Sequence, residues 1–309
     1  MMRTDSTFPH VDARAQECIT EEQARLFREN GLLVVRNVLS PAELEAMRRE
    51  TLPLVERAEE GTDDPDFFYK PHEATGERTP YRVEYVIDKT DAGKALLGHP
   101  FVLRSVEKLQ GPNFVPTWDA MVFKREGMGV AIPWHRDAGV AHSREDVAPI
   151  FNVDFYLDEA DLTNCLWGIP GSHRWPPEKA QAMIDRLNAG GAFHTEEGAL
   201  PLPMQPGDVL LHNILVLHGS PAARSHLRRV VYYEFRPAEI ESEIGPHTPE
   251  YLPLKQRVLL ACLEHRARTP YAAGETPFEY QPNAPHLPPP TRDDAPQTYR
   301  YPHGEFWRK

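Results

Sequence analysis

The sequence predicts a mostly β fold with flanking helices, built as an antiparallel barrel or sandwich, and three observations predict it. Segments 115–124, 150–157, 199–203, 208–217 and 228–235 are short, β-branched or aromatic, and bounded by Gly and Pro. They do not alternate with long helices, which argues against a parallel Rossmann-type sheet. Proline is also frequent, 31 in 309 residues, about twice the usual roughly 5%, and marks turns and strand edges.

The elements follow in order. Thr20-Glu21-Glu22-Gln23 and Ser40-Pro41-Ala42-Glu43 are capping boxes, so helices start there, the first ending near Asn30-Gly31. Leu32 to Val35 is an apolar strand between them, and the second helix runs to about Gly61. Residues 62–79, acidic and aromatic without periodicity, read as a loop or lid, with Asp63, Asp64 and Asp66 solvated. A strand from Tyr81 to Ile87 and a helix from Pro100 to Gln110, closed by Gly111, precede the β region. Residues 176–188 are a helical insertion, and 254–266 an amphipathic helix packed on the barrel. The domain expectation is an N-terminal extension (1–19), one domain (20–268) and a Pro-rich tail (269–309), extended, wrapping or partly disordered.

Composition excludes several functions. With 34 Lys+Arg against 46 Asp+Glu the net charge is −12, unfavourable for nucleic acid or anionic lipid. No apolar run approaches the roughly 18 residues of a membrane span, and the first residues lack the apolar stretch of a signal peptide. Cys18, Cys165 and Cys262 are widely separated, excluding a disulfide scaffold or thiolate zinc site and suggesting a reducing, cytoplasmic compartment. Oligomeric state is not readable.

Chemistry is therefore sought among the 14 histidines. Chance predicts roughly one His-x-Asp pair; the chain has two, His10-Val11-Asp12 and His135-Arg136-Asp137. His10 lies in the extension with no strand to hold it. His135 follows the apolar run Ala120 to Phe123 and a Gly-containing loop, and alternation on an extended segment points 135 and 137 to one side. His218 ends the run from Val209 and is followed by Gly219-Ser220; Arg228-Arg229 opens the next strand, where a buried arginine needs an anion. Two histidines and a carboxylate form the facial triad of non-haem Fe(II) oxygenases. Of the remainder, His173 reads as a structural rim residue, His142, His212 and His226 as solvated or hydrogen-bonded, and Trp134 as core.

His135-x-Asp137, His218-Gly219-Ser220 and Arg228 together resemble the phytanoyl-CoA dioxygenase family of Fe(II)/2-oxoglutarate oxygenases. Gly111-Pro112-Asn113, Asn164-Cys165-Leu166, Ile169 to His173 and Met204 to Asp208 extend the resemblance over residues 20 to 236. It implies a double-stranded β-helix (jelly-roll, cupin-like) core, with His135, Asp137 and His218 as iron ligands. It implies that Arg228 pairs with the distal carboxylate of 2-oxoglutarate beside Ser220, with Met121 and Arg82 as further co-substrate contacts. The loop after His218 is one residue short for the family, which makes Arg229 the alternative to Arg228. Asn152, Asp154 and Tyr156 would face the interior and bind substrate or co-substrate. The implied reaction consumes O2 and 2-oxoglutarate, releases succinate and CO2, and hydroxylates a small molecule; a carboxylate at 137 argues against halogenation. The competing readings are a cupin-like metalloenzyme without 2-oxoglutarate, in which Arg228 lacks a partner, and a non-catalytic ligand-binding barrel.

Overall fold

Both helix starts form as their capping residues dictate. In the computed structural model, which describes residues 10–125, 127–137, 148–190, 193, 198–223, 226–283 and 298–309, Thr20 and Gln23 cap each other to open α1 (Glu21–Asn30). Ser40 and Glu43 do the same for α2 (Pro41–Glu60). Gly31 ends α1 at φ 71°, and a Cβ there would lie 2.5 Å from Val216 and 2.6 Å from His173. Backbone conformation and space thus both require glycine.

Two sequence expectations change at the sheet edges. His10 does sit on a strand: β1 (His10–Asp12) pairs in parallel with β2 (Leu32–Arg36), and three residues are too few to show a periodicity. The 62–79 segment is partly a hairpin, in which β3 (Phe67–Pro71) pairs antiparallel with β4 (Arg78–Glu84). Its acids are not all solvated. Asp66 is 3% exposed and binds Lys89 at 2.5 Å and Arg300 at 2.8 Å, while Asp64 pairs with Arg57. β4 stops at Glu84 because Tyr85 takes a left-handed φ of 56° and the chain turns into α3 (Val86–Lys89).

After α4 (Asp91–Leu97) and α5 (Pro100–Gln110) come β5 (Phe114–Lys124), β6 (Ile132–His135), β7 (Phe151–Tyr156) and β8 (Leu166–Gly168). Then follow α6 (Pro177–Gly190), β9 (Leu200–Leu202), β10 (Val209–Asn213), β11 (His218–Ser220) and β12 (Arg228–Pro237), closed by α7 (Ala238–Ile244) and α8 (Tyr251–Ala267). One sheet runs β1-β2-β10-β7-β12-β5-β4-β3 and the other β6-β11-β8-β9. The core is a jelly roll, or double-stranded β-helix. The run 208–217 is not one strand: β10 ends at Asn213, the Val216 amide turns back onto the Asn213 carbonyl at 2.9 Å, and the chain crosses to the smaller sheet. His218 therefore opens β11. Both halves are buried, so the apolar pattern carries no sign of the break.

Period-two alternation assigns each face of the large sheet. Met121, Val153, Phe155, Leu211, Val231 and Tyr233 join the helix-side core. Their neighbours point between the sheets, into a second core around Trp134, Ile169 and Leu210 and into a cavity. The stripe α8 buries is mixed in chemistry: Lys255 and Arg266 lie in it beside Val258 and Cys262, and Arg266 is neutralised by Glu43 at 2.8 Å and Glu275 at 2.6 Å. Beyond α8, Phe278 and Tyr280 pack on Phe114. Residues 298–308 come back across the cavity rim, with Arg300 on Asp66 and Arg308 Nε donating to the His247 carbonyl at 2.6 Å. Among the described residues no helix is long and apolar enough to cross a membrane.

Candidate active site

His135 and His218 are direct cross-strand partners at the end of β6 and the start of β11. Asp137 is held beside them by its amide, which donates to the Ile214 carbonyl at 3.0 Å. One Asp137 carboxylate oxygen lies 3.5 Å from His135 Nε2 and 3.7 Å from His218 Nε2, and the three ligand atoms fall within 4.8 Å of one another. The backbone selects the tautomers. His135 Nδ1 faces the Pro133 carbonyl at 2.8 Å and His218 Nδ1 the Val216 carbonyl at 2.9 Å. Each Nδ1 must carry the proton, which leaves both Nε2 lone pairs converging on Asp137. Burial pushes His218 down to about 3, with His135 adding to the effect, so it is neutral as a metal ligand must be. Asp137 is partly exposed; desolvation opposes its charge, yet the histidines beside it hold its carboxyl well below the usual range. The donor set fits a divalent metal with open positions.

His212, read from sequence only as solvated or hydrogen-bonded, belongs to this site. It is buried, with Nδ1 2.7 Å from Asp154 and Nε2 3.4 Å from the second Asp137 oxygen. Asn152 donates to that same oxygen at 3.1 Å. Burial opposes a charge on His212, but Asp154 and Asp137 outweigh it and raise the group to about 10. Asn152 and Asp154 do face inward; Asn152 Nδ2 and one Asp154 oxygen bind Asp137 and His212, while Asn152 Oδ1 and the other Asp154 oxygen are buried without a partner among the described residues. Tyr156 likewise has a buried hydroxyl without a partner among the described residues.

A second feature is an excess of buried positive charge at the cavity wall, with Arg228 lining it and Lys124 behind Ser220. Arg228 on β12 and Lys124 on β5 are directly opposite one another, 3% and 1% exposed. Like charges in cross-strand register repel. Arg228 donates through Nη1 to the Asn164 carbonyl at 2.7 Å, and its Nε has no partner among the described residues. Lys124 reaches only neutral oxygens, the Ser220 hydroxyl at 2.7 Å and the carbonyls of Ser220 and Pro221. Burial and the adjacent Arg228 pull the ammonium well below the usual lysine range. An anion in the cavity beside Arg228 would relieve both groups.

The cavity, about 590 Å³, is lined by His135, Asp137, His218, Ser220, Arg228 and Arg82, among others. Two candidates are not in it. Met121 has the opposite parity, is fully buried in the helix-side core, and yields its place to Val122. Arg229 also points away, binding Asp158 through Nε at 2.8 Å and Nη2 at 2.9 Å. On a strand a slip of one residue reverses every side chain. His142 lies outside the described residues. His173 is structural, Nε2 against the Arg28 carbonyl at 3.1 Å, and Trp134 is core, stacked on Phe193.

Glu84, also on the cavity wall, sits 3.0 Å from Arg82, yet burial raises its carboxyl to about 7 from an ordinary 4.5. The folded protein then binds a proton that the unfolded chain releases, so stability falls as pH rises from about 4.5 through 7. Denaturant unfolding at pH 5 and pH 8 should show a drop larger by roughly 3 kcal/mol in the wild type than in Glu84→Gln. Equal drops would refute it.

Residues 27–231 match the family described as phytanoyl-CoA dioxygenase (PhyH). The chain belongs to the phytanoyl-CoA dioxygenase family. It is 24% identical over 265 residues to phytanoyl-CoA dioxygenase domain-containing protein 1 of Danio rerio, covering 70% of this chain and 89% of that one. Among solved structures, EvdMO1 is 29% identical with a TM-score of 0.57, over 69% of this chain; the match spans 49% of EvdMO1. AviO1 from Streptomyces viridochromogenes Tue57 is 27% identical with a TM-score of 0.57, over 70% of this chain and 95% of that one. As a member of this family the protein is an Fe(II)- and 2-oxoglutarate-dependent dioxygenase acting on a small molecule. Lys124, not singled out from the sequence, and His212, read there only as solvated or hydrogen-bonded, share strand parity with Val122 and Leu210; a polar residue on an inward position was the available signal.

Proposed function

We propose that this dioxygenase hydroxylates a small organic substrate, with His135, Asp137 and His218 holding Fe(II) and the Arg228 end of the cavity holding 2-oxoglutarate. The observation that carries the second assignment is the cross-strand Arg228–Lys124 pair without a carboxylate partner among the described residues. A co-substrate carboxylate would take the free edge of Arg228, whose planar guanidinium suits it. Tyr156 would donate its free hydroxyl, and Lys124 would hold Ser220 in place from behind. When bound, ferrous iron couples O2 reduction and decarboxylation of 2-oxoglutarate to succinate and CO2 with oxidation of a substrate C–H bond. The protein's share is orientation: backbone carbonyls fix both imidazoles, and Asn152 with His212 fixes the Asp137 oxygen not shared by the histidines.

A cupin-like enzyme without 2-oxoglutarate would leave the buried cation pair unexplained. The free thiols, two of them buried, support a reducing, cytoplasmic location. Anaerobic addition of Fe(II) and 2-oxoglutarate should give the weak visible charge-transfer band of the chelate, and a metabolite screen should find substrate-stimulated succinate release. Folded, iron-loaded protein without the band sinks the proposal. His212→Phe should lower iron affinity by about 10–100-fold, since Asp137 loses one of its two supports; metal titration with unchanged affinity would show that Asn152 suffices.

A further inference from the structure

At the end of the cavity away from Arg228, His247 occupies the wall between α7 and α8. It is 3% exposed. Its Nδ1 lies 2.8 Å from a Glu241 oxygen that also receives the His247 amide at 3.0 Å, and its ring stacks on Tyr251 at 4.2 Å. The backbone on either side is pinned by the returning tail: Arg308 bonds to the Pro246 and His247 carbonyls, and His247 pairs with Trp307 as an isolated bridge. Every degree of freedom of this imidazole is set, yet Nε2 is buried and has no partner among the described residues. A carboxylate on Nδ1 makes Nε2 the acceptor. A histidine serving only packing has no need of such an arrangement, because a buried acceptor left unpaired is costly.

Nearby groups define what would meet that nitrogen. Ring contacts link His247 to His303 (6.2 Å), His303 to Trp118 (4.9 Å) and Trp118 to the Arg82 guanidinium (5.4 Å). Trp118 Nε1 and Arg82 Nε are buried donors without partners among the described residues. The formal charges here are largely matched internally: Arg82 on Glu84 at 3.0 Å, and Arg236 on Glu234 at 2.7 Å and Glu241 at 3.3 Å. Two free donors, one free acceptor, aromatic walls and paired charges suit hydroxyl groups, which donate and accept without bringing charge.

We propose that His247, oriented by Glu241, is a substrate-binding residue that accepts a hydrogen bond from a hydroxyl of an uncharged, hydroxylated ring lying against Trp118. The inference takes from the proposed function only that this cavity receives the substrate. The 298–308 tail then acts in specificity, because it supplies His303 and Trp307 to the wall and fixes the His247 backbone.

Saturation-transfer NMR on the full chain tests this with methyl β-glucopyranoside, tetrahydropyran and glucuronate as probes. The glucoside should bind wild type, and at least 5-fold more weakly His247→Asn, whose amide keeps the Glu241 contact but offers no acceptor at the Nε2 position. His247→Gln, whose side chain reaches that position, should recover at least half of the loss. Tetrahydropyran, lacking hydroxyls, should not distinguish the three proteins, and thermal melting confirms that each is folded. Equal glucoside affinity in wild type and His247→Asn overturns the proposal, as does binding of glucuronate alone. The Fe(II)–2-oxoglutarate band is recorded in parallel and should be the same in all three. Its absence from wild type would count against the 2-oxoglutarate reading, while the metal-free NMR titration still decides the role of His247.

Discussion

Arg228→Ala raises the 2-oxoglutarate concentration for half-saturation by about 100-fold, within the range for truncating one member of a buried, hydrogen-bonded charge pair. Iron affinity stays as in wild type, since Arg228 bonds to Asn164 and not to the triad. Titration of the anaerobic visible band with 2-oxoglutarate reads this directly. Arg229→Ala is the control one residue along. It leaves Asp158 without its two-pronged partner on the helix side, so it costs about 3–5 kcal/mol of stability by denaturant unfolding and leaves 2-oxoglutarate saturation unmoved. If the two variants exchange phenotypes, the register of β12 is wrong by one. A small effect from both would remove the co-substrate from this end of the cavity.

Asp137→Ala eliminates stoichiometric iron binding and lowers substrate-dependent succinate formation by at least about 1,000-fold, because it removes the one anionic ligand of three. The apoprotein should still fold. The histidines remain anchored to backbone carbonyls, and His212 keeps Asp154 at 2.7 Å. Metal analysis and thermal melting separate the two effects. Iron retained at one equivalent in Asp137→Ala would show that the ligand set lies elsewhere.

The sequence makes some of this legible and hides the rest for physical reasons. Capping boxes are local, so both helix starts follow from four residues each. The grouping of His135, Asp137 and His218 is legible because the two histidines stand at strand ends, where alternation and apolar runs give direction. Which of Arg228 and Arg229 faces inward is not, since an apolar strand buried on both faces shows no alternation: Val230 and Val231 look alike but enter different cores. The same ambiguity misplaced Met121. The break between Asn213 and His218 is invisible for a related reason, as a turn passing through the core uses residues as apolar as a strand's. Lys124, His212 and Asp154 form pairs only once three or four strands are assembled. His247 leaves no mark at all; its partners come from α7, α8 and the tail, and only folding gathers them.

The tail also has a temporal meaning. The residues proposed to hold iron have all been synthesised once β12 has been made, whereas Thr298 lies about sixty residues beyond the end of that strand. At synthesis rates of about 5–20 residues per second, a nascent chain spends several seconds with its metal ligands synthesised and one wall of its reaction chamber missing. The wall that His303 and Trp307 supply is therefore the last part of the chamber to be made.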